Sequence, residues 1–234
     1  MDRAARSSVI RNALGIGVAT GAYALSFGAL SVAAGLNVPE TCALSLLMFT
    51  GASQFALIGV VGSGGSALAG AASSLLLGIR NGLYGLRLSP LLGVRGGRRI
   101  GAAQHVIDES TAMAIAQPTQ ELGRVAFYAT GLAIYVLWNL GTLVGALAGR
   151  AISNPADFGL DAAAPAAFLA LLAPRMEGRE QWMVAVVAGA VALASVPFVP
   201  AGVPVLLAAL VGIAFGLRPG AEPVPVEPST REPA

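Results

Sequence analysis

The sequence predicts an all-α, polytopic integral membrane protein made of about seven apolar helices, one or more of them broken or re-entrant. Hydrophobic residues make up 56% of the 234-residue chain and charged residues only 11%. A soluble domain carries about a quarter charged residues, so this composition is far from that of a soluble protein. The mean hydropathy of +0.74 agrees, and several long stretches contain no charged residue.

The charge and cysteine content exclude several classes of function. All fourteen positive charges are arginines in small groups and the net charge is only +2, so the sequence does not predict a nucleic-acid-binding surface. A single cysteine, Cys42, cannot form an intramolecular disulfide, and the paired Cys and His spacings of a zinc site are missing. We therefore expect neither a metal nor a cofactor.

Five stretches without Asp, Glu, Lys or Arg mark the expected membrane segments: residues 12–39, 41–79, 125–149, 162–174 and 181–217. About 20 apolar residues cross a bilayer, so the second and fifth stretches are too long for one helix. Turn signals divide them at residues 62–66, which read Gly-Ser-Gly-Gly-Ser, and at the proline-rich residues 197–204. We expect a transmembrane domain over residues 1–218 and a disordered tail over residues 219–234, which contain five prolines and three glutamates.

Two helix starts can be read from the sequence. The N-terminal apolar run extends to Gly35, beyond the length of a signal peptide, so we interpret it as the first transmembrane helix. For the second helix, Asn37 is the expected N-cap, Pro39 falls in the first turn and Glu40 lies three residues after the cap. Asp161 is a similar candidate cap for a later helix.

Arginine positions predict the orientation, because cytoplasmic loops carry the excess of positive charge. Arginines before residue 12 place the N-terminus in the cytoplasm, and those at residues 95–99 favour a second cytoplasmic loop. Three full crossings would put that loop outside, so either one segment among residues 41–92 turns back within the membrane or the charge rule is violated. The last apolar pair then leaves the C-terminus in the cytoplasm.

Polar side chains inside the apolar stretches are the most informative feature, because each costs a few kcal/mol in hydrocarbon unless it has a partner or faces water. The first group is Thr-Gly-Ala-Ser-Gln-Phe at residues 50–55. Gly51, Ser53 and Gln54 together allow a helix to unwind, and broken helices can present N–H groups to an anionic substrate at mid-membrane. The alternative is that Gln54 only bonds a neighbouring helix.

A second group places Arg80 and Asn81 within an apolar stretch, with Arg87 two turns later. Arg87 is expected near the interface, where its side chain can snorkel. An arginine as deep as Arg80 needs a carboxylate, a set of carbonyl groups or a substrate. Its role is therefore either linked to transport or that of a structural ion pair.

A third group contains His105, Asp108 and Glu109, spaced so that the histidine shares a helix face with both acids. If this segment dips into the membrane, the carboxylates are the natural partners of Arg80, and one could carry a proton because burial favours the neutral form. If the segment lies flat on the cytoplasmic surface, these charges are simply solvated.

A fourth group lies at the centre of residues 125–149. Asn139, next to Trp138, is too deep to be interfacial, so we expect it to bond across a helix contact or to contribute to a pocket. Gly141, Gly145 and Gly149 follow at four-residue spacing, which permits close helix approach.

These groups, in this order, resemble the AzlC family of branched-chain amino acid permeases. The resemblance is carried by Ser-Phe-Gly-Ala-Leu at 26–30, Ala-Ala-Gly-Leu at 33–36, Phe-Thr-Gly-Ala-Ser-Gln-Phe at 49–55, Arg80, Leu-Tyr at 83–84, Leu-Ser-Pro at 88–90, residues 105–110, residues 138–142 with Gly145, Gly-Leu-Asp at 159–161 and Pro-Ala-Ala-Phe at 165–168. Where the family pattern reads approximately Asn-Leu-Arg-His, residues 78–81 read Gly-Ile-Arg-Asn, which retains the arginine. The resemblance implies export of branched-chain amino acids through the bacterial inner membrane and a small AzlD-type membrane partner.

Together these observations favour a proton-driven secondary transporter that exports amino acids with branched apolar side chains. The backbone near Gly51 and the Arg80 guanidinium would receive the substrate carboxylate, and Asn81 or Asn139 the ammonium group. The residues expected to bind substrate are Phe27, Gly51, Ser53, Gln54, Phe55, Arg80, Asn81 and Asn139. Those expected to couple proton movement are Asp108, Glu109 and His105.

Two other classes of function are weighed against this one. An intramembrane enzyme is not expected, because the sequence contains neither a His-Glu-x-x-His helix nor a Gly-x-Ser-x-Gly elbow. A non-transporting scaffold or accessory subunit is the main alternative. Broken helices lined by polar groups would be unnecessary in such a protein.

Overall fold

The structure is a computed structural model that describes residues 3–151 and 178–218, together with residues 169, 172, 173 and 176. The described residues form nine α-helices and no strand, which confirms the all-α class. The helices are α1 (Arg3–Ala33), α2 (Val38–Leu47), α3 (Gly51–Gly62), α4 (Ala67–Leu92), α5 (Arg98–Gln104), α6 (Asp108–Ile115), α7 (Gln120–Ala151), α8 (Arg179–Ser195) and α9 (Val203–Gly216). The candidate cap Asp161 and the predicted tail, residues 219–234, lie outside the described residues.

The expected number of about seven apolar helices is not confirmed. In the described part of the chain, two helices are long and apolar enough to cross a membrane, α1 with 31 residues and α7 with 32. Three others, α2, α3 and α9, are apolar but only 10 to 14 residues long. At 1.5 Å per residue, none of these three reaches the ~30 Å of a hydrocarbon core alone.

The helix boundaries follow local chemistry that the sequence predicted. Asn37 and Glu40 form a capping box at the start of α2: the Glu40 N–H donates to the Asn37 Oδ1 at 2.9 Å, and the Asn37 N–H donates to the Glu40 Oε2 at 2.8 Å. The predicted breaks at residues 62–66 and 197–204 separate α3 from α4 and α8 from α9. The unwinding expected at Gly51 to Gln54 is wrong: α3 is helical from Gly51 onward, and the break lies just before it, at residues 48–50.

The long helices α1 and α7 form the most extensive helix pair, and glycines make their close contact possible. A β-carbon added at Gly28 would overlap the backbone of Thr142 and Ala146, and one at Gly145 would overlap the backbone of Leu25. The predicted close approach at Gly141, Gly145 and Gly149 is therefore confirmed, with α1 as the partner.

The outer face of α7 is apolar and open. Leu132, Val136, Leu140 and Val144 recur every four residues and are each about half exposed, with relative exposures of 47 to 58%. An apolar stripe of this length is unfavourable in water and suits contact with lipid tails. The buried face of the same helix points toward α1, α2 and α6.

We predict that Gly28→Ala destabilises the protein by about 1–3 kcal/mol, because the added methyl group forces the α1 and α7 backbones apart. Gly15→Ala is the matched control on the same helix, since a β-carbon there meets nothing within 4 Å. The control should be neutral or slightly stabilising, by up to about 1 kcal/mol. Thermal unfolding of the two variants in detergent checks this, and equal melting temperatures would contradict it.

Candidate functional site

A polar cavity lies inside the helix assembly where α1, α3, α4, α6 and α7 meet. Its volume is about 60 Å³, and at roughly 15 Å³ for each water it holds a few water molecules. Its walls are formed by Thr20, Tyr23, Phe49, Thr50, Gly51, Ala52, Arg80, Ile107, Asp108, Glu109, Ile134 and Trp138. One cation and two carboxyl groups therefore face a chamber whose remaining walls are mostly apolar.

An ion pair dominates the cavity. The Arg80 Nη2 lies 2.8 Å from the Asp108 Oδ2, so α4 and α6 are joined by opposite charges. The two side chains keep 30% and 18% of their surface exposed, and both residues line the cavity. Of the two interpretations of the sequence, paired or simply solvated acids, this contact confirms the first: Asp108 is a partner of Arg80.

The ion pair leaves hydrogen-bonding capacity unused. The Arg80 Nε and the Asp108 Oδ1 are buried, and neither has a hydrogen-bond partner within the described residues. Buried polar groups without partners are costly, and a protein retains them where a ligand or water completes the set. The ion pair at the cavity thus keeps an unused donor and an unused acceptor, both covered by surrounding protein atoms.

Two helices begin at the cavity wall. The α3 helix starts at Gly51, after the non-helical residues 48–50, and Gly51 and Ala52 both line the cavity. First-turn N–H groups of a helix lack partners within that helix and attract negative charge. Because Arg80 borders the same space, this corner of the cavity suits an anionic group.

The second start, that of α6, carries the two acids. Asp108 and Glu109 occupy its first turn, and the Ser110 hydroxyl accepts a hydrogen bond from the Ile107 N–H at 3.2 Å. The same hydroxyl donates its proton to the His105 carbonyl oxygen, and the Ile107 carbonyl oxygen lies 3.2 Å away, so the turn before the helix is held in place. The N-terminal end of a helix carries a partial positive charge, so acidic side chains in the first turn stabilise α6.

An aromatic cluster forms the apolar side of the cavity. Tyr23 stacks on Phe55 with ring centroids 4.9 Å apart and meets Trp138 edge-on at 5.6 Å. Phe27 packs behind them, 5.5 Å from Phe55 and 6.2 Å from Trp138. The predicted apolar residues Phe27 and Phe55 therefore do not line the cavity themselves but support Tyr23 and Trp138, which do.

Gln54 connects the broken helix to its neighbours. It is fully buried, and its Oε1 accepts a hydrogen bond from the Trp138 Nε1 at 3.0 Å. Its Nε2 lies 3.4 to 3.5 Å from the carbonyl oxygens of Leu44, Ser45 and Met48, at the end of α2. Gln54 thus links the C-terminal end of α2 to the Trp138 ring, and it does not line the cavity.

The other predicted residues lie around the cavity rather than in it. Ser53 and Ser74 exchange hydrogen bonds between side chain and backbone, at 2.8 and 2.7 Å, and so join α3 to α4. The Asn139 Nδ2 donates to the Tyr135 carbonyl oxygen at 2.7 Å, within its own helix. Of the predicted substrate-binding set, the structure brings Gly51 and Arg80 to the cavity and places Ser53 and Asn139 outside its lining.

Two further residues lie close to the cavity without entering its lining. Asn81 borders a separate open groove that also contacts Phe49 and Thr50, and its Oδ1 is buried without a partner. The His105 ring packs against Phe49 and Tyr135, and its Nδ1 lies 2.8 Å from the Gly101 carbonyl oxygen. Within the described residues, no group of three or more His, Cys, Asp or Glu side chains is arranged to hold a metal ion.

Sequence reasoning missed Thr20 and Tyr23 as lining residues, and it favoured Asn139 over its neighbour Trp138. A signal was present, because Thr20 and Tyr23 are polar side chains in a charge-free stretch at one-turn spacing. Trp138 lies in the cavity wall because it occupies the buried face of α7, whereas Asn139 is turned away by one residue, about 100° of helical rotation.

The fold and the cavity define an α-helical membrane protein with a polar chamber between broken helices. Residues 15–152 match the family model described as AzlC protein, a region that contains every residue of the cavity wall. A membrane protein of uncharacterised function from Archaeoglobus fulgidus is 33% identical over 193 residues, or 81% of this chain and 84% of that protein. The chain belongs to the AzlC family, and no solved structure matches it.

We predict that Gln54→Leu costs about 1–3 kcal/mol of stability, because the Trp138 N–H loses its buried acceptor. Trp138→Phe removes that donor, so combining it with Gln54→Leu should cost less than the sum of the single changes. Thermal unfolding of the two single variants and the double variant in detergent measures this coupling. Fully additive losses would show that the Gln54 to Trp138 bond does not stabilise the break.

Proposed function

We propose that this protein is a secondary transporter that exports amino acids with branched apolar side chains, and that the cavity at Arg80 is its substrate site. The observation that carries this proposal is the chamber itself. An ion pair with unused hydrogen-bonding atoms faces the start of a broken helix and an aromatic wall. Membership of the AzlC family supports a transporter-related role.

The substrate carboxylate binds in the corner formed by Arg80 and the start of α3. The guanidinium provides charge-assisted hydrogen bonds. The backbone N–H groups near Gly51 add uncharged donors to the same carboxylate. The branched side chain lies against Tyr23, Ile134 and Trp138, whose surfaces are apolar and fixed by packing. At about 60 Å³ the cavity is small, so the helices around it must separate further to admit a leucine.

Proton coupling is assigned to the acids at the start of α6. Asp108 and Glu109 line the cavity, so a proton bound there changes the charge that the substrate meets. His105, the third candidate, is not among the residues that line the cavity, and its ring packs against Phe49 and Tyr135. This proposal places the protein in the bacterial inner membrane as a multi-pass protein, with both termini cytoplasmic as the arginine distribution favours.

The resemblance to the family further suggests a small AzlD-type membrane partner. A scaffold without transport activity, the alternative function, would not need an accessible ion pair with unpaired atoms. Counterflow of radiolabelled leucine and valine into proteoliposomes, with and without the co-expressed partner, distinguishes the two functions. Uptake above empty liposomes supports the transporter, and none under either condition contradicts it.

We predict that Arg80→Gln lowers the apparent affinity for leucine by about 10- to 100-fold, the effect of losing a hydrogen bond to a charged group. Arg87→Gln, an exposed arginine on the same helix, is the matched control and should retain the affinity. Concentration-dependent thermal stabilisation by leucine, together with counterflow, provides the measurement. Equal effects of both substitutions would remove Arg80 from the substrate site.

A further inference from the structure

The unused atoms of the ion pair define what kind of ligand completes it. The Arg80 Nε is an unpaired donor and the Asp108 Oδ1 an unpaired acceptor, and they belong to groups whose Nη2 and Oδ2 lie 2.8 Å apart. Both unpaired atoms are covered by protein, so a ligand reaches them when the cavity widens. A carboxylate alone satisfies the first atom and an ammonium group alone satisfies the second. A ligand with both groups on one carbon satisfies the two together.

We propose that Asp108 is the receptor for the substrate's ammonium group, so that a proton and an α-amino acid compete for the same carboxylate. This inference rests on the proposed function and deepens it. The zwitterion inserts into the Arg80 to Asp108 contact, with its carboxylate on the guanidinium and its ammonium group on Asp108. Because the two protein groups are adjacent, ligands with widely separated charges fit poorly.

The charged surroundings of Asp108 favour this assignment. Arg80 is the cation that faces it from α4, and Glu109 is the second acid on α6. Tyr23 is the titratable residue contributed by α1, and the residues that α3 and α7 contribute to the cavity wall do not titrate. When a ligand carboxylate takes over Arg80, Asp108 is left without its counter-charge, and the ammonium group restores it at the same position.

Competition determines the mode of coupling. A protonated Asp108 is neutral, so it no longer attracts an ammonium group, and the proton-bound site releases the amino acid. A site that holds either a proton or a substrate exchanges one for the other across the membrane. This corresponds to antiport, in which inward proton movement drives outward amino acid movement.

The first test measures ligand binding to the full-length protein in nanodiscs by calorimetry. The probes are leucine, the α-keto acid of leucine, which lacks the ammonium group, and isopentylamine, which lacks the carboxylate. For the unmodified protein we expect leucine to bind best of the three probes, and its affinity to fall on acidification, because a proton and the ammonium group compete for one carboxylate. A γ-amino acid with distant charges should bind at least about 10-fold more weakly than leucine.

The variant Asp108→Asn separates the proposal from a purely structural role. It should weaken leucine binding about 10- to 100-fold, as the loss of a bond to a charged group predicts, and it should flatten the pH dependence. It should also bind the α-keto acid more tightly than the unmodified protein does, because Arg80 loses its internal partner. A misfolded protein cannot bind the α-keto acid more tightly, so tighter binding shows that Asp108 normally occupies the Arg80 guanidinium.

Glu121→Gln, an exposed acid at the start of α7, is the charge-matched control and should change neither affinity nor pH profile. If the unmodified protein binds leucine but Asp108→Asn binds it equally well with the same pH dependence, the inference is overturned and the proposed function stands. If the unmodified protein neither binds nor transports any amino acid, the proposed function fails as well.

Discussion

A guanidinium and a carboxylate in contact inside an apolar helix assembly are the constraint on which the site depends. Arg80 lies near the middle of α4, and in hydrocarbon its charge would be costly without the acid from α6. For the two to meet, α6 must begin beside α4 rather than lie apart on the surface. The chain leaves α5 at Gln104 and starts α6 at Asp108, which places that acid at the Arg80 guanidinium.

The breaks in the helices have a common physical basis. A chain that leaves helical geometry away from water must satisfy its freed backbone groups with other parts of the protein. At the α2 to α3 break, Gln54 and Trp138 take part in this role, and at the α5 to α6 break the Ser110 hydroxyl does. Each break therefore carries its own polar supports, and the two breaks meet at one cavity.

The rigid part of the assembly surrounds these irregular segments. Glycines bring α1 and α7 into backbone contact, and the aromatic cluster of Phe27, Phe55 and Trp138 fills the space between α1, α3 and α7. Close-packed helix pairs resist deformation, so α1 and α7 form a firm wall of the cavity.

The sequence by itself determined the features that depend on neighbours along the chain: the all-α class, the capping box at Asn37 and Glu40, the glycine spacing on α7 and the breaks at residues 62–66 and 197–204. It also identified Arg80 and the two acids as groups that need partners, because charge in an apolar stretch is visible without coordinates. Only the tertiary structure decided that Asp108 pairs with Arg80, that Trp138 rather than Asn139 faces the cavity, and that Tyr23 joins them. These choices depend on how each helix is rotated about its axis and on which helices touch, and both are settled by packing between residues far apart in the chain.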